Sequence, residues 1–236
     1  MKAVILTGGL GTRLRGLTET PKALLEIAGR PFLEYQFRLL ARFGFREIVL
    51  CIGYKGESIR DRFGDGSKVG ATLLYSCEED QLLGTGGALK KAEEYVSDRF
   101  LVLNGDSYLE LDLDKLKAFH ASRTVLGTIA ASTVEDAKDY GSLQLEKDGM
   151  IAGFVEKSRS SGKGIVNAGV YLLEKEFLDL IPPGRVCSLE REAFPQAITK
   201  GNRLSAFVSS NPFIDIGTPE RYAQAQRFFK DRGFSP

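Results

Sequence analysis

The residues best equipped for chemistry stand near the N-terminus. A short apolar run, Ala3-Val4-Ile5-Leu6, leads into Thr7-Gly8-Gly9-Leu10-Gly11-Thr12-Arg13-Leu14, and Pro21-Lys22 follows. Backbone amides can approach an anion where no Cβ intervenes, so a glycine-rich loop after the first strand of an α/β sheet most often holds phosphate. Arg13 and Lys22 bring cations to such a site. Two familiar phosphate loops fail against this stretch. The dinucleotide fingerprint GxGxxG needs glycine where Leu14 stands, and the P-loop GxxxxGK[ST], laid over Gly11–Thr18, needs lysine where Leu17 stands. A tight turn would explain the glycines, but not Thr12, Arg13 and Pro21-Lys22.

The elements that must position these residues follow from periodicity. Ala3–Leu6, Ile48–Ile52, Ala71–Tyr75 and Phe100–Leu103 read as short, fully buried strands. Between them, helical spacing is expected over Pro31–Phe43, stopped by Gly44, over Ser58–Phe63 and over Gly86–Val96. This order predicts a parallel sheet covered on both faces. After Asp106 the strand-like segments lie closer together: Val125–Thr133, Ser142–Glu146, Ile151–Glu156 and Val166–Leu173. Helices are expected at about Lys175–Ile181 and Leu189–Lys200, then a strand at Leu204–Val208. A last helix is expected over Pro219–Lys230, capped by Thr218. We expect a single α/β domain over 1–236, with a nucleotide-binding half to about residue 110 and a mixed second half from about 111.

Composition narrows the class. Lys plus Arg is 32 and Asp plus Glu is 31, too balanced for a dedicated nucleic-acid binder. Cys51, Cys77 and Cys187 are far apart and without CxxC spacing, which suits reduced thiols in a cytosolic protein. The first apolar run is too short for a signal peptide, and no stretch reaches membrane-spanning length. The single histidine, His120, is expected on a helix, at its surface or capping it, away from the loop.

The motifs, taken together, carry a resemblance. Gly8–Leu14 with Pro21-Lys22, Leu83-Gly84-Thr85-Gly86-Gly87-Ala88 and Leu103-Asn104-Gly105-Asp106 occur in order. Phe154-Val155-Glu156-Lys157, Asn167-Ala168-Gly169-Val170-Tyr171 and Phe213-Ile214-Asp215-Ile216-Gly217-Thr218-Pro219 follow. The set resembles the sugar-1-phosphate nucleotidyltransferases, which join a nucleoside triphosphate to a sugar phosphate and release pyrophosphate. The segment Arg15–Thr20 is one residue shorter than that family usually has. The resemblance implies a Rossmann-like, three-layer α/β fold of the GT-A-like kind, with a mixed, mostly parallel central sheet. It implies no β-helix domain after the last helix. Within the family, Pro31–Tyr35, Gly53–Glu57, Phe63–Ser67 and the form LGTGGA look most like the D-glycero-α-D-manno-heptose 1-phosphate guanylyltransferases.

The reaction so implied is attack by a sugar-phosphate oxygen on the α-phosphorus. Both partners are anions, so repulsion and orientation dominate the barrier and no strong base is needed. Arg13 is expected at the β- and γ-phosphates and Lys22 near the α-phosphate. Asp106 and Asp215 are expected to hold Mg²⁺, a cation that suits carboxylate and phosphate oxygens. Leu6, Gly8, Gly9, Gly11, Thr12, Gly84, Thr85 and Gly105 would bind the nucleotide. Glu78 or Glu79 would accept hydrogen bonds from a guanine, and the sequence does not choose between them. Tyr140, Gly141, Glu156, Lys157, Asn167 and Gly169 would bind the sugar phosphate. The expected partners are these small molecules, with no nucleic acid or membrane, and a homo-oligomer is left open.

Other readings stay in view. Mannose-1-phosphate guanylyl transfer and uridylyl transfer use the same chemistry. A glycosyltransferase would use an Asp-x-Asp pair such as Asp112-Leu113-Asp114, although a helix N-terminus also explains those carboxylates. A nucleotide-sensing module would have lost Arg13, Lys22, Asp106 or Asp215, and all of them are present.

Overall fold

Alternation along the first strand sets the layering. In β1 (Ala3–Leu6), Ala3 and Ile5 join one apolar cluster, Val4 and Leu6 join another, and all of them are buried. A strand buried on both faces needs a layer on each. The computed structural model describes residues 1–9, 20–138, 140–155 and 162–233. After β1 come a small hairpin, β2 (Glu26–Ile27) and β3 (Arg30–Pro31), then α1 (Phe32–Arg42), β4 (Glu47–Ile52), α2 (Gly56–Phe63) and β5 (Thr72–Cys77). They are followed by α3 (Gly84–Lys91), β6 (Arg99–Asn104), β7 (Ser107–Leu109), α4 (Leu113–Ala121) and β8 (Gly127–Val134). The chain continues through β9 (Ser142–Leu145), β10 (Ile151–Val155), β11 (Gly164–Glu174), α5 (Phe194–Thr199), β12 (Leu204–Ser209), β13 (Phe213–Asp215) and α6 (Pro219–Asp231).

The parallel strands run in the order β6-β1-β4-β5. The long β11 docks antiparallel on β6 and carries β8 and β9; β10 pairs with β9, and β12 runs parallel to β8. The sheet is therefore mixed, as expected. Leu33 and Phe37 of α1, Ile59 of α2 and Leu116 of α4 cover one face. Leu89 of α3 and Phe194 and Ala197 of α5 cover the other. A third cluster seats the C-terminal helix: Phe229 of α6 stacks on Tyr35 of α1 with ring centroids 3.9 Å apart.

Several expected elements change character. Helix α3 starts at Gly84 rather than Gly86 and gives way to a 3₁₀ turn at Glu93–Tyr95. Gly84 has φ +72°, and a Cβ there would lie 2.6 Å from the Cys187 carbonyl oxygen. Lys175–Leu180 is 3₁₀ rather than α, and Leu189–Ala193 forms a π-helical turn before α5. Pro195 lacks the N–H that would bond back into that turn, so widening it avoids the clash. Thr218 caps α6 as expected, accepting from Arg221 N at 3.3 Å. Asp112 caps α4 by accepting from the amides of Asp114 and Lys115, which gives the Asp-x-Asp pair a structural duty.

His120 departs from expectation: it is buried, not at the surface. Its ring nitrogens meet Thr128 Oγ1 at 2.7 Å and Glu174 Oε1 at 2.8 Å. It faces neither of the site cavities described below. All three cysteines are free thiols, with Cys51 and Cys187 buried. Among the described residues, no helix is long and apolar enough to cross a membrane.

Candidate active site

The site opens where β1 and β6 end, at the carboxyl edge of the parallel strands, the usual ligand-binding edge of open α/β sheets. A cavity of about 690 Å³ lies there. Leu6, Gly8 and Gly9 follow β1 into its wall, and Gly105 follows β6. Gly105 N donates to the Leu6 carbonyl at 2.9 Å, and a Cβ on Gly105 would come 2.8 Å from that same oxygen. Gly84 and Thr85 form the opposite wall. Gly11, Thr12 and Arg13 lie outside the described residues, as does most of the shortened Arg15–Thr20 segment.

The structure separates the two candidate glutamates. Glu78 borders this cavity, while Glu79 borders a different hollow beside Lys90 and Lys91. Glu78 Oε1 accepts from Leu83 N at 2.6 Å. Burial pushes its pKa up, against the pull of that amide and of Lys91. Gly53 is small for a reason here: a Cβ would lie 2.8 Å from Glu78 Oε2.

At the far end of this cavity stand Lys22 and Asp106. Pro21 fixes the start of a 3₁₀ turn over Lys22–Leu24, and the Lys22 ammonium lies 2.9 Å from Asp106 Oδ2. Asp106 sits in the turn between β6 and β7. That turn is clamped from below by buried Gln36 of α1, whose Nε2 donates to the carbonyls of Asn104 at 2.7 Å and Ser107 at 2.6 Å. Strand β13 pairs antiparallel with β7, setting Asp215 opposite Ser107, and Ile216 N donates to the Asp106 carbonyl at 3.0 Å. The two candidate metal ligands are thus neighbours across a short ladder. Asp215 is held by Arg221 at 3.0 Å and by the amide of Gly217 at 2.8 Å. Among the described residues, no three His, Cys, Asp or Glu side chains cluster tightly enough to make a metal cage.

A second cavity, of about 400 Å³, continues from this point. Lys22, Asn104, Asp106 and Arg191 border both. Tyr140 and Gly141 form one wall of the second cavity; the Arg221 guanidinium lies 3.9 Å above the Tyr140 ring. Asn167 and Gly169 form another, on a bulge where the register of β11 against β8 shifts between Asn167 and Val170. Gly169 has φ +72°, and its N–H donates to Asn167 Oδ1 at 2.9 Å. Glu156 and Lys157 lie outside the described residues, while Phe154 and Val155 just before them border the cavity.

Four side chains here escaped the sequence reading: Asn104 as more than a spacer, Glu190, Arg191 and Arg221. The Thr85 hydroxyl is turned into the protein, donating to Glu190 Oε2 at 2.9 Å. Ser188-Leu189-Glu190-Arg191 has no glycine or strand-end signature, and only the fold brings it between the two cavities.

The chain is similar to known proteins along nearly its whole length. The family model described as nucleotidyl transfer enzymes, "Nucleotidyl transferase", matches residues 2–232. The mannose-1-phosphate guanylyltransferase of Mycobacterium tuberculosis is 35% identical over 99% of this chain, which spans 66% of that protein. The D-glycero-alpha-D-manno-heptose 1-phosphate guanylyltransferase of Campylobacter jejuni is 36% identical, covering 94% of this chain and 97% of that one. The crystal structure of HddC from Yersinia pseudotuberculosis, 36% identical, superposes with a TM-score of 0.86 over 97% of this chain and 99% of its own; that protein has also been solved complexed with GMP-PN. Two cavities meeting at a lysine–aspartate pair, on a fold and sequence shared with these enzymes, lead to one conclusion: the chain belongs to the nucleotidyl transferase family.

Proposed function

We propose that the protein transfers a guanylyl group from GTP to D-glycero-α-D-manno-heptose 1-phosphate, giving GDP-heptose and pyrophosphate. The observation that carries this reading is the meeting of the two cavities at Lys22, Asn104, Asp106 and Arg191. A nucleotide in the larger cavity and a sugar phosphate in the smaller would bring their phosphates together there. A sugar-phosphate oxygen forms a new P–O bond to the α-phosphorus. The α–β bridging bond breaks, and pyrophosphate leaves with the electron pair. No proton has to move, which suits a site without a histidine.

Lys22 would stabilise charge on the α-phosphate, and Arg13 charge on the leaving pyrophosphate. Asp106 and Asp215 fit a Mg²⁺ ion: they offer hard carboxylate oxygens, and phosphates and waters can complete its shell. When bound, the ion supplies electrostatic stabilisation to the phosphates. Lys22 and Arg221 keep the two carboxylates charge-paired. Glu78, rather than Glu79, would face the base, since it borders the nucleotide-side cavity. Glu156 and Lys157 would hold the sugar phosphate with Asn167, Gly169 and the Tyr140–Gly141 wall. The free thiols fit a cytosolic enzyme.

Guanine is favoured because relatives named for guanylyl transfer match along the chain and HddC was solved complexed with GMP-PN. Mannose 1-phosphate is the second reading for the acceptor, supported by the 35% identity to a mannose-1-phosphate guanylyltransferase. The test is pyrophosphate release with Mg²⁺ across GTP, UTP, CTP, ATP and dTTP, each against a panel of α-sugar 1-phosphates. Release confined to GTP and the heptose phosphate establishes the reading. Release with mannose 1-phosphate or with UTP keeps the chemistry and replaces the substrate. No release from folded protein overturns nucleotidyl transfer.

A further inference from the structure

Glu190 lies in the π-helical turn before α5, in a segment that none of the site motifs includes. Its carboxylate gathers four donors, three of them from distant elements of the chain. Thr85 Oγ1, near the start of α3, donates to Oε2 at 2.9 Å, and Ser188 Oγ donates to the same oxygen at 3.1 Å. Tyr171 OH, on β11, donates to Oε1 at 3.2 Å, and Asn104 Nδ2, at the end of β6, reaches that oxygen at 3.5 Å. An ionised carboxylate has about four acceptor positions, and protein donors fill them. Glu190 borders the smaller cavity, yet it has no acceptor position left for substrate.

The partners of Glu190 are the walls of both cavities. Thr85 borders the larger one. Tyr171 OH accepts from Asn167 Nδ2 at 2.9 Å, and Asn167 with Gly169 borders the smaller one. Asn104 borders both. The partners are also committed as acceptors elsewhere: Thr85 Oγ1 takes Leu189 N at 2.8 Å, and Tyr171 OH takes Asn167 and Asn104. An amide at position 190 would add N–H donors to a place where donors already converge.

We propose that Glu190 is a positioning residue that ties the nucleotide-side loop at Thr85 to the sugar-side bulge at Asn167, aligning the two cavities for transfer. The inference rests on the proposed nucleotidyl transfer, so wild-type turnover is measured beside each variant. Glu190→Gln keeps the shape and is expected to raise KM for both substrates by about tenfold, as loss of charged hydrogen bonds would. Its melting temperature should stay close to wild type. Tyr171→Phe should raise KM for the sugar phosphate most and that of the nucleotide as well, and adding it to Glu190→Gln should raise neither much further.

Wild-type turnover together with both KM values of Glu190→Gln within twofold would overturn the proposal. So would effects of Glu190→Gln and Tyr171→Phe that multiply independently. If Glu190→Gln folds poorly, Thr85→Val removes one donor instead. It should raise the sugar-phosphate KM as well as that of the nucleotide, and an effect confined to the nucleotide would overturn the coupling. A wild-type chain that releases no pyrophosphate with any pair overturns the functional reading itself, and the inference with it.

Discussion

Lys22 and Asp106 are 84 residues apart in sequence, and their charged atoms are 2.9 Å apart in the fold. The pair stands where the two cavities join. It is half-open to solvent, with side-chain exposures of 22% and 41%, so its contribution to stability is small, about 0–1 kcal/mol. Asp106→Asn should therefore melt close to wild type while kcat for pyrophosphate release falls by about 100-fold or more. Calorimetry and steady-state kinetics on the same preparation check this. Near-normal turnover would remove Asp106 from the proposed machinery.

Arg221 and Asp215 form the more buried pair, with side-chain exposures of 15% and 12%. Removing one member of a buried pair leaves an uncompensated charge, at a cost of about 3–5 kcal/mol. Arg221→Met should lower the melting temperature clearly, and Asp215→Asn introduced into that variant should recover part of the loss. Denaturant unfolding of the two singles and the double gives the answer. Additive losses would show that the pair is not coupled.

Gln36 acts at one remove. It is fully buried, and its amide holds the carbonyls on either side of Gly105-Asp106. Gln36→Leu would leave two carbonyls without that donor, at about 1–3 kcal/mol each. We expect a lower melting temperature and a fall in kcat, with KM for the nucleotide changing less than kcat. A variant that is destabilised but turns over normally would make the clamp purely structural.

Glu78 gives a prediction with a sign in pH. Burial raises its pKa, so the folded state disfavours the carboxylate. The native protein then holds its proton to higher pH than the unfolded chain does, and stability falls as pH rises between the two values. Glu78→Gln should be more stable than wild type at neutral pH, and the advantage should vanish in acid, below the ordinary glutamate range. If Glu78 faces the base, the same variant should raise KM for GTP by about tenfold or more. Melting curves against pH and nucleotide kinetics test the two halves separately.

The strands of the parallel core were legible because each is a continuous apolar run, and their ends are marked by glycine and charge. The glutamate bordering the larger cavity was not: Glu78 and Glu79 are the same residue type, and the turn after β5, with the Leu83 amide bonded to Glu78, decides between them. His120 was misplaced because a helical position near a helix end says nothing about which strand lies beneath it. Thr128 and Glu174 make the buried position tolerable.

The sequence by itself determined the α/β class, the apolar strands of the parallel core and the capped last helix. These are written in local periodicity and in motifs short enough to read along the chain. Only the tertiary structure brought Asp215 beside Asp106, through a ladder of two three-residue strands, and Glu190 between Thr85 and Tyr171. Strands so short carry no period of their own, and a carboxylate in a helical turn looks like any solvated one. What fixes such residues is a partner distant in sequence, supplied when the sheet and its helices pack.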